Sequence, residues 1–266
     1  MPVSRKRRFR SILLLLAPVL VAGLAVVPAG PANAVANGVD VPNGRYRFAV
    51  KLTMTGIPTA DGGRRNSACS GALIHREWIV TAGHCFRDLN GVRVERTLAD
   101  ETLATVGRAD MTSPIGEQAE VVAVRQHPDR DLALVRLDHL VTTITPLALS
   151  RRVPQPGDVV RLTGFGSTQG ANPVPSNQLR TGQFTITSVV APTVGMTGLA
   201  PFPDTSACAY DSGAPYFSED RRGRTALVSI ESGGPTCPHA LEETTVRIDN
   251  ITDWIRAITG YEYSAS

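Results

Sequence analysis

Several things the chain lacks narrow its function before anything it contains. Its 4 cysteines include no Cys-x-x-Cys pair, so the spacing most zinc sites use is missing, and His239 near Cys237 is the only trace of one. The apolar run near the start is a little short for a membrane anchor. The stretch from Ile12 to Val27 falls short of the roughly 20 residues that span a bilayer, and Pro28 and Pro31 break it. There is no internal repeat and no low-complexity tract. Charge bias is absent too. The 27 Lys and Arg exceed the 24 Asp and Glu by 3, yet Arg5, Lys6, Arg7, Arg8 and Arg10 all precede the first acid. Without those five the balance is 22 against 24, so bulk charge points to neither nucleic acid nor a phospholipid surface as partner.

Those first residues form a pattern of their own. A basic start, a short apolar stretch and Ala32-Asn33-Ala34 read as a secretory signal with an A-x-A cleavage site. The expected organisation is a signal peptide over 1–34 and a mature chain over 35–266, long enough for a substantial core. A retained anchor is the competing reading. An even number of cysteines in an exported chain implies two disulfides. Three pairings are open, and local spacing favours Cys69–Cys85 with Cys208–Cys237.

Short apolar segments separated by glycine, proline and polar turns recur along the mature chain. Phe48–Leu52, Trp78–Thr81, Ala119–Val124, Asp131–Leu137, Asp158–Thr163 and Thr225–Ile230 have the length, valine content and partial alternation of strands, which makes the chain all-β. Val153-Pro-Gln-Pro-Gly157 reads as a linker between two halves. Only the C-terminus has a helical period: Ile251, Trp254, Ile255 and Ile258 fall on one stripe, with Asp249 or Asn250 to cap it and Gly260 to end it.

Residues 208–215 read Cys-Ala-Tyr-Asp-Ser-Gly-Ala-Pro, a serine on a tight turn beside an acid. Nucleophilic serine chemistry needs a base for the hydroxyl proton and an acid to orient that base. His84 follows an apolar segment in Thr81-Ala-Gly-His-Cys85, and Asp131 opens an Asp-Leu-Ala-Leu segment. The other histidines (His75, His127 and His139) have no such setting. The order His, Asp, Ser, with Cys69-Ser-Gly-Ala-Leu-Ile74 and Trp78-Ile-Val-Thr-Ala-Gly-His-Cys85, resembles the trypsin/chymotrypsin-like serine proteases over Val35 to Trp254, in a bacterial, secreted form.

The resemblance implies two six-stranded β-barrels, about 35–150 and 151–248, with the active site in the cleft between them and a C-terminal helix over about 250–259. It implies a serine endopeptidase that acts on protein or peptide substrates as a monomer, needs no cofactor or metal, and stays off the membrane once its signal is cut. His84 would be general base and then acid, Asp131 its orienting partner and Ser212 the nucleophile. The backbone N–H groups of Tyr210 and Ser212 would form the oxyanion hole, and Asp211 would pair with the ammonium of Val35, the residue that cleavage after Ala34 exposes. By position, Ser206 would sit at the specificity-pocket floor, with Ser232, Gly233 and Gly234 on the substrate-pairing strand. Counted back from Trp254, Glu243 would stand on the pocket wall, and counted forward from Cys237, Thr244 would; with Glu231 near it, an acid there would favour Lys or Arg, and solvent-facing glutamates are the alternative. Glycine usually precedes the acid where this chain has Tyr210, so a non-catalytic or weakly active protease-like binding protein is the other reading.

Overall fold

The computed structural model describes residues 1–3 and 35–260; residues 4–34, on which the expected signal peptide and its cleavage site fall, lie outside them. Several strands carry apolar residues on both faces, because one face fills a barrel and the other packs against a neighbouring element. A two-residue strand, Val39–Asp40 (β1), comes first. Six strands then follow: Ala49–Pro58 (β2), Arg64–His75 (β3), Trp78–Thr81 (β4), Glu101–Val106 (β5), Glu117–Gln126 (β6) and Ala133–Leu137 (β7). They close into a barrel in the order β2-β3-β4-β7-β6-β5. Val50, Leu52, Leu73, Ile79, Val124 and Val135 fill its interior.

After the short strand Ala148–Leu149 (β8) come Val159–Gly164 (β9), Arg180–Val189 (β10), Thr193–Ala200 (β11), Pro215–Glu219 (β12), Thr225–Gly233 (β13) and Glu243–Arg247 (β14). These run β10-β11-β14-β13-β12-β9 and close through the β10–β9 pairing. The expected two six-stranded barrels with a C-terminal helix are thus present. β1 pairs with β10, and Val35 is buried in the second barrel among Leu162, Phe184, Met196 and Tyr216. The segment from Val35 to Asp40 is therefore anchored on the second barrel.

Alternation along β7 shows how the barrels join. Ala133, Val135 and Leu137 face the first interior, whereas Leu132 and Leu134 belong to a cluster with Phe217, Leu227 and Ile230 of the second barrel. Burying a leucine is worth on the order of 2 kcal/mol, so this apolar seam stabilises the packing of one barrel on the other. The helix Thr252–Thr259 (α1) packs Ile251 and Ile255 on the same cluster, with Trp254 and Ile258 partly buried beside them. Gly260 ends it at φ 65°, its N–H donating to the Arg256 carbonyl. The expected N-caps are absent. Asp249 is held by Arg247 at 2.6 Å, Asn250 bonds Ala191 and Arg130, and no side chain caps Ile251.

Candidate active site

His84 sits on a 3₁₀ turn, Gly83–Phe86, immediately after β4. A side chain at Gly83 would come within 2.6 Å of Gln126 Oε1 and 3.0 Å of the Leu132 nitrogen, so only glycine lets the turn press against the β6–β7 loop. Cys85 is bonded to Cys69 on β3, and Cys208 to Cys237. Because β4 pairs with β7 in a register that sets Thr81 against Ala133, Asp131, two residues before Ala133, faces the histidine turn. The Asp131 carboxylate accepts the His84 backbone N–H at 2.8 Å on Oδ1 and lies 2.6 Å from His84 Nδ1 through Oδ2. Ser232 donates its hydroxyl to the same Oδ2 at 2.7 Å. Burial works to raise the Asp131 pKa, but the His84 and Ser232 bonds outweigh it and bring it to about 2. An ionised carboxylate only accepts, so Nδ1 carries the ring proton and Nε2 keeps a lone pair. Ser212 Oγ lies 2.8 Å from that Nε2. The three residues expected from sequence are brought together in one hydrogen-bonded row.

The turn carrying Ser212 is over-determined. Ser70 donates Oγ to the Tyr210 carbonyl at 3.1 Å and its N–H to the Ser212 carbonyl at 2.9 Å, and Gly213 donates to Glu231 at 2.8 Å. Gly213 is at φ 84°, where an added Cβ would meet Thr81 Oγ1 at 2.2 Å, so the position admits no side chain. Tyr210 is at φ 75°, a left-handed conformation that costs a non-glycine residue roughly 1–2 kcal/mol. Its hydroxyl reaches the Pro173 carbonyl at 3.4 Å. Among the described residues the N–H groups of Tyr210 and Ser212 donate to nothing, so both donors are open.

Asp211 is fully buried. Its Oδ1 accepts Gly166 N–H at 2.8 Å and its Oδ2 accepts Cys208 N–H at 3.1 Å. The backbone nitrogen of Val35 also donates to it, yet burial wins and holds its pKa up at about 7. Val35 is wholly buried at φ 49°.

Beside Ser212 opens a cavity of about 280 Å³ lined by Ala207, Glu231, Gly233, Gly234 and Glu243 among others. Neither glutamate faces solvent: Glu231 is 3% and Glu243 1% exposed. Glu231 accepts the Tyr216 hydroxyl at 3.1 Å; burial and the nearby Glu243 charge push its carboxyl well up. Glu243 Oε1 accepts the Ala207 N–H at 2.7 Å and lies 3.3 Å from His239 Nε2. Its Oε2 has no hydrogen-bond partner among the described residues and occupies the space under Gly234, where an added Cβ would come within 1.7 Å. Burial raises the Glu243 carboxyl to about 8. Ser206 is buried behind this wall; its N–H donates to Ala36, and its hydroxyl accepts from His239 N–H at 3.2 Å.

Three contacts were outside the reach of sequence reasoning: Ser232 on Asp131, Ser70 under the serine turn, and Tyr216 on Glu231. Single hydroxyls on strands carry no spacing signal. Among the described residues, no cluster of His, Cys, Asp and Glu could hold a metal ion, and no helix is long and apolar enough to cross a membrane.

A family model described as Trypsin matches residues 35–255. The chain is similar to snake venom serine protease 3 of Protobothrops jerdonii, 27% identical over 209 residues, which are 71% of this chain and 77% of that one. It is similar to venom plasminogen activator GPV-PA of Trimeresurus albolabris at the same identity and coverage. The suppressor of tumorigenicity 14 protein homolog of Bos taurus is 26% identical over 215 residues, 72% of this chain but only 25% of that protein. These relatives come from snakes and cattle, so they lend no support to the bacterial form expected from sequence.

Proposed function

The chain belongs to the trypsin family of serine proteases, and from that premise we propose that it is a secreted endopeptidase working through Ser212, His84 and Asp131. The observation that carries the reading is the row Asp131–His84–Ser212, with contacts of 2.6 and 2.8 Å. Ser212 Oγ attacks the scissile carbonyl as its proton passes to His84 Nε2, and the imidazolium is balanced by Asp131. The resulting oxyanion takes hydrogen bonds from the Tyr210 and Ser212 N–H groups. His84 then protonates the departing amine, leaving an acyl-enzyme. Water, deprotonated by His84, attacks that ester and frees Ser212. The reaction uses no cofactor, and the enzyme acts as a monomer.

Cleavage after Ala34 completes the site. It converts the Val35 amide into an ammonium facing the buried Asp211 carboxyl, a group expensive to ionise without a partner. It also removes the φ constraint at a β-branched residue held in the left-handed region. Signal removal and activation are thus one step. Two disulfides fit export to an oxidising compartment.

The cavity beside Ser212 receives the side chain preceding the scissile bond, and a Lys or Arg there meets the unpartnered Glu243 Oε2. A second reading, a non-catalytic binding protein, rests on the left-handed Tyr210 in the serine turn. Digestion of a random peptide library by the Val35-started protein separates the two. Cleavage after Lys and Arg, lost in Ser212→Ala, supports the enzyme; an intact library with correctly started protein supports the binding reading.

A further inference from the structure

One residue of the first barrel touches both residues whose N–H groups are open beside the nucleophile. Ser70, on β3 next to Cys69, is wholly buried. Its backbone N–H donates to the Ser212 carbonyl at 2.9 Å, and its hydroxyl donates to the Tyr210 carbonyl at 3.1 Å. That hydroxyl is itself held, because its oxygen accepts the buried Phe165 N–H at 3.0 Å. The Ser70 carbonyl accepts the Thr81 hydroxyl at 2.7 Å. Every polar group of Ser70 is therefore engaged, and two of them go to the serine turn.

Both peptide groups that flank Tyr210 are pinned. Before it, the Ala209 carbonyl accepts Ser167 N–H at 2.7 Å. After it, the Asp211 N–H donates to the Cys208 carbonyl at 3.0 Å, and the Tyr210 carbonyl rests on Ser70. Of these pins, only the Ser70 hydroxyl is a side chain, and only it comes from the first barrel. The turn needs it because Tyr210 is at φ 75°, a region that glycine enters freely and tyrosine does not. The tyrosine's own hydroxyl is a weak anchor, 3.4 Å from the Pro173 carbonyl. The net worth of one hydrogen bond and the left-handed penalty are of the same order. Loss of the Ser70 hydroxyl therefore lets Tyr210 leave the left-handed region, and its N–H turns out of its place. Ser212, held by the Ser70 backbone, stays where it is.

We propose that Ser70 is a positioning residue for catalysis: its hydroxyl holds Tyr210 left-handed and so keeps the Tyr210 N–H aimed at the oxyanion. The effect on rate rests on the endopeptidase reading; the effect on the conformation of Tyr210 does not. The first arm of the test is steady-state kinetics of the mature protein on a peptide amide. Ser70→Ala lowers kcat about ten-fold and leaves KM within about two-fold, a part of the loss that follows outright removal of an oxyanion donor. In the Tyr210→Gly background, where the left-handed conformation carries no strain, the same substitution costs less than about two-fold, so the two positions couple. A merely structural Ser70 would cost the same in both backgrounds, since the Phe165 N–H loses its partner in each. Ser70→Gly, which removes the same hydroxyl, serves if Ser70→Ala does not fold. The second arm reads Tyr210 without turnover, by magnetic resonance of protein carrying isotopically labelled tyrosine, its amide signal identified by its loss in Tyr210→Gly. A strong Overhauser effect between the amide and α protons of Tyr210 marks its positive φ, and this effect weakens in Ser70→Ala. Equal losses of kcat in the two backgrounds, or an undiminished Overhauser effect in Ser70→Ala, overturns the proposal. A mature protein that cleaves no peptide counts against the enzyme reading alone and leaves the second arm to decide.

Discussion

Asp131 grips His84 at two points, taking its backbone N–H on one carboxylate oxygen at 2.8 Å and its ring Nδ1 on the other at 2.6 Å. A single acid therefore sets both the path of the histidine turn and the tautomer of its ring. Asp131→Asn keeps the shape but offers an amide N–H or a neutral oxygen to Nδ1, and so removes the preference for a lone pair on Nε2. We expect kcat on peptide amides to fall on the order of 10⁴-fold with KM little changed, as read by steady-state kinetics at constant pH.

Glu243 gives a pH signature. Its carboxyl, raised to about 8 by burial, is neutral in the empty pocket at lower pH. Charge pairing with a Lys side chain therefore strengthens as pH rises through about 8. The kcat/KM for a Lys-directed substrate should climb across that limb, and Glu243→Gln should remove both the climb and the Lys preference. A matched substrate with an uncharged side chain should show neither effect.

Asp211 makes stability depend on where the chain starts. In the form still extended before Val35, its folded pKa is about 7 against about 4 unfolded. The folded state then holds a proton that the unfolded state releases. The stability this confers is full below about pH 4 and is lost as pH rises through about 7. A Val35-started chain supplies an ammonium and keeps the ionised carboxylate paired. Thermal melts of both forms from pH 4 to 8 should diverge, with the extended form falling. Parallel curves would argue against the pairing.

Tyr210 holds a conformation that glycine adopts without cost. Tyr210→Gly relieves roughly 1–2 kcal/mol of left-handed strain and gives back about 0.5–1 kcal/mol in chain entropy. A net gain of up to about 1.5 kcal/mol is expected in denaturant unfolding, with kcat retained. A large loss would mean that the Tyr210 hydroxyl bond to Pro173 matters more than the strain.

Sequence made the strong apolar strands readable, because Trp78–Thr81 and the Leu132–Leu137 run are buried on both faces and look it. It left β10 and β11 unseen: Arg-Thr-Gly-Gln-Phe-Thr-Ile-Thr-Ser-Val and Thr-Val-Gly-Met-Thr-Gly-Leu-Ala mix threonine and glycine with few apolar positions, and pairing with neighbours decides their state. The His84, Asp131 and Ser212 row was legible because each residue sits in a local motif. For Glu231 and Glu243 the resemblance pointed to the pocket wall, where both now line the cavity, but the residues alone left solvent open, because a glutamate on a strand looks the same in sequence whether it faces water or a cavity. The helix stripe was visible, but its caps misled, since Asp249 and Asn250 were claimed by Arg247, Arg130 and Ala191.

The most direct test of the central claim is labelling with a fluorophosphonate, which captures a serine only when its hydroxyl is activated. Mature protein starting at Val35 should take up one label, located on Ser212 by peptide mass mapping, and His84→Ala should abolish it. No label on correctly started, folded protein, or labelling that persists without His84, would contradict the assignment.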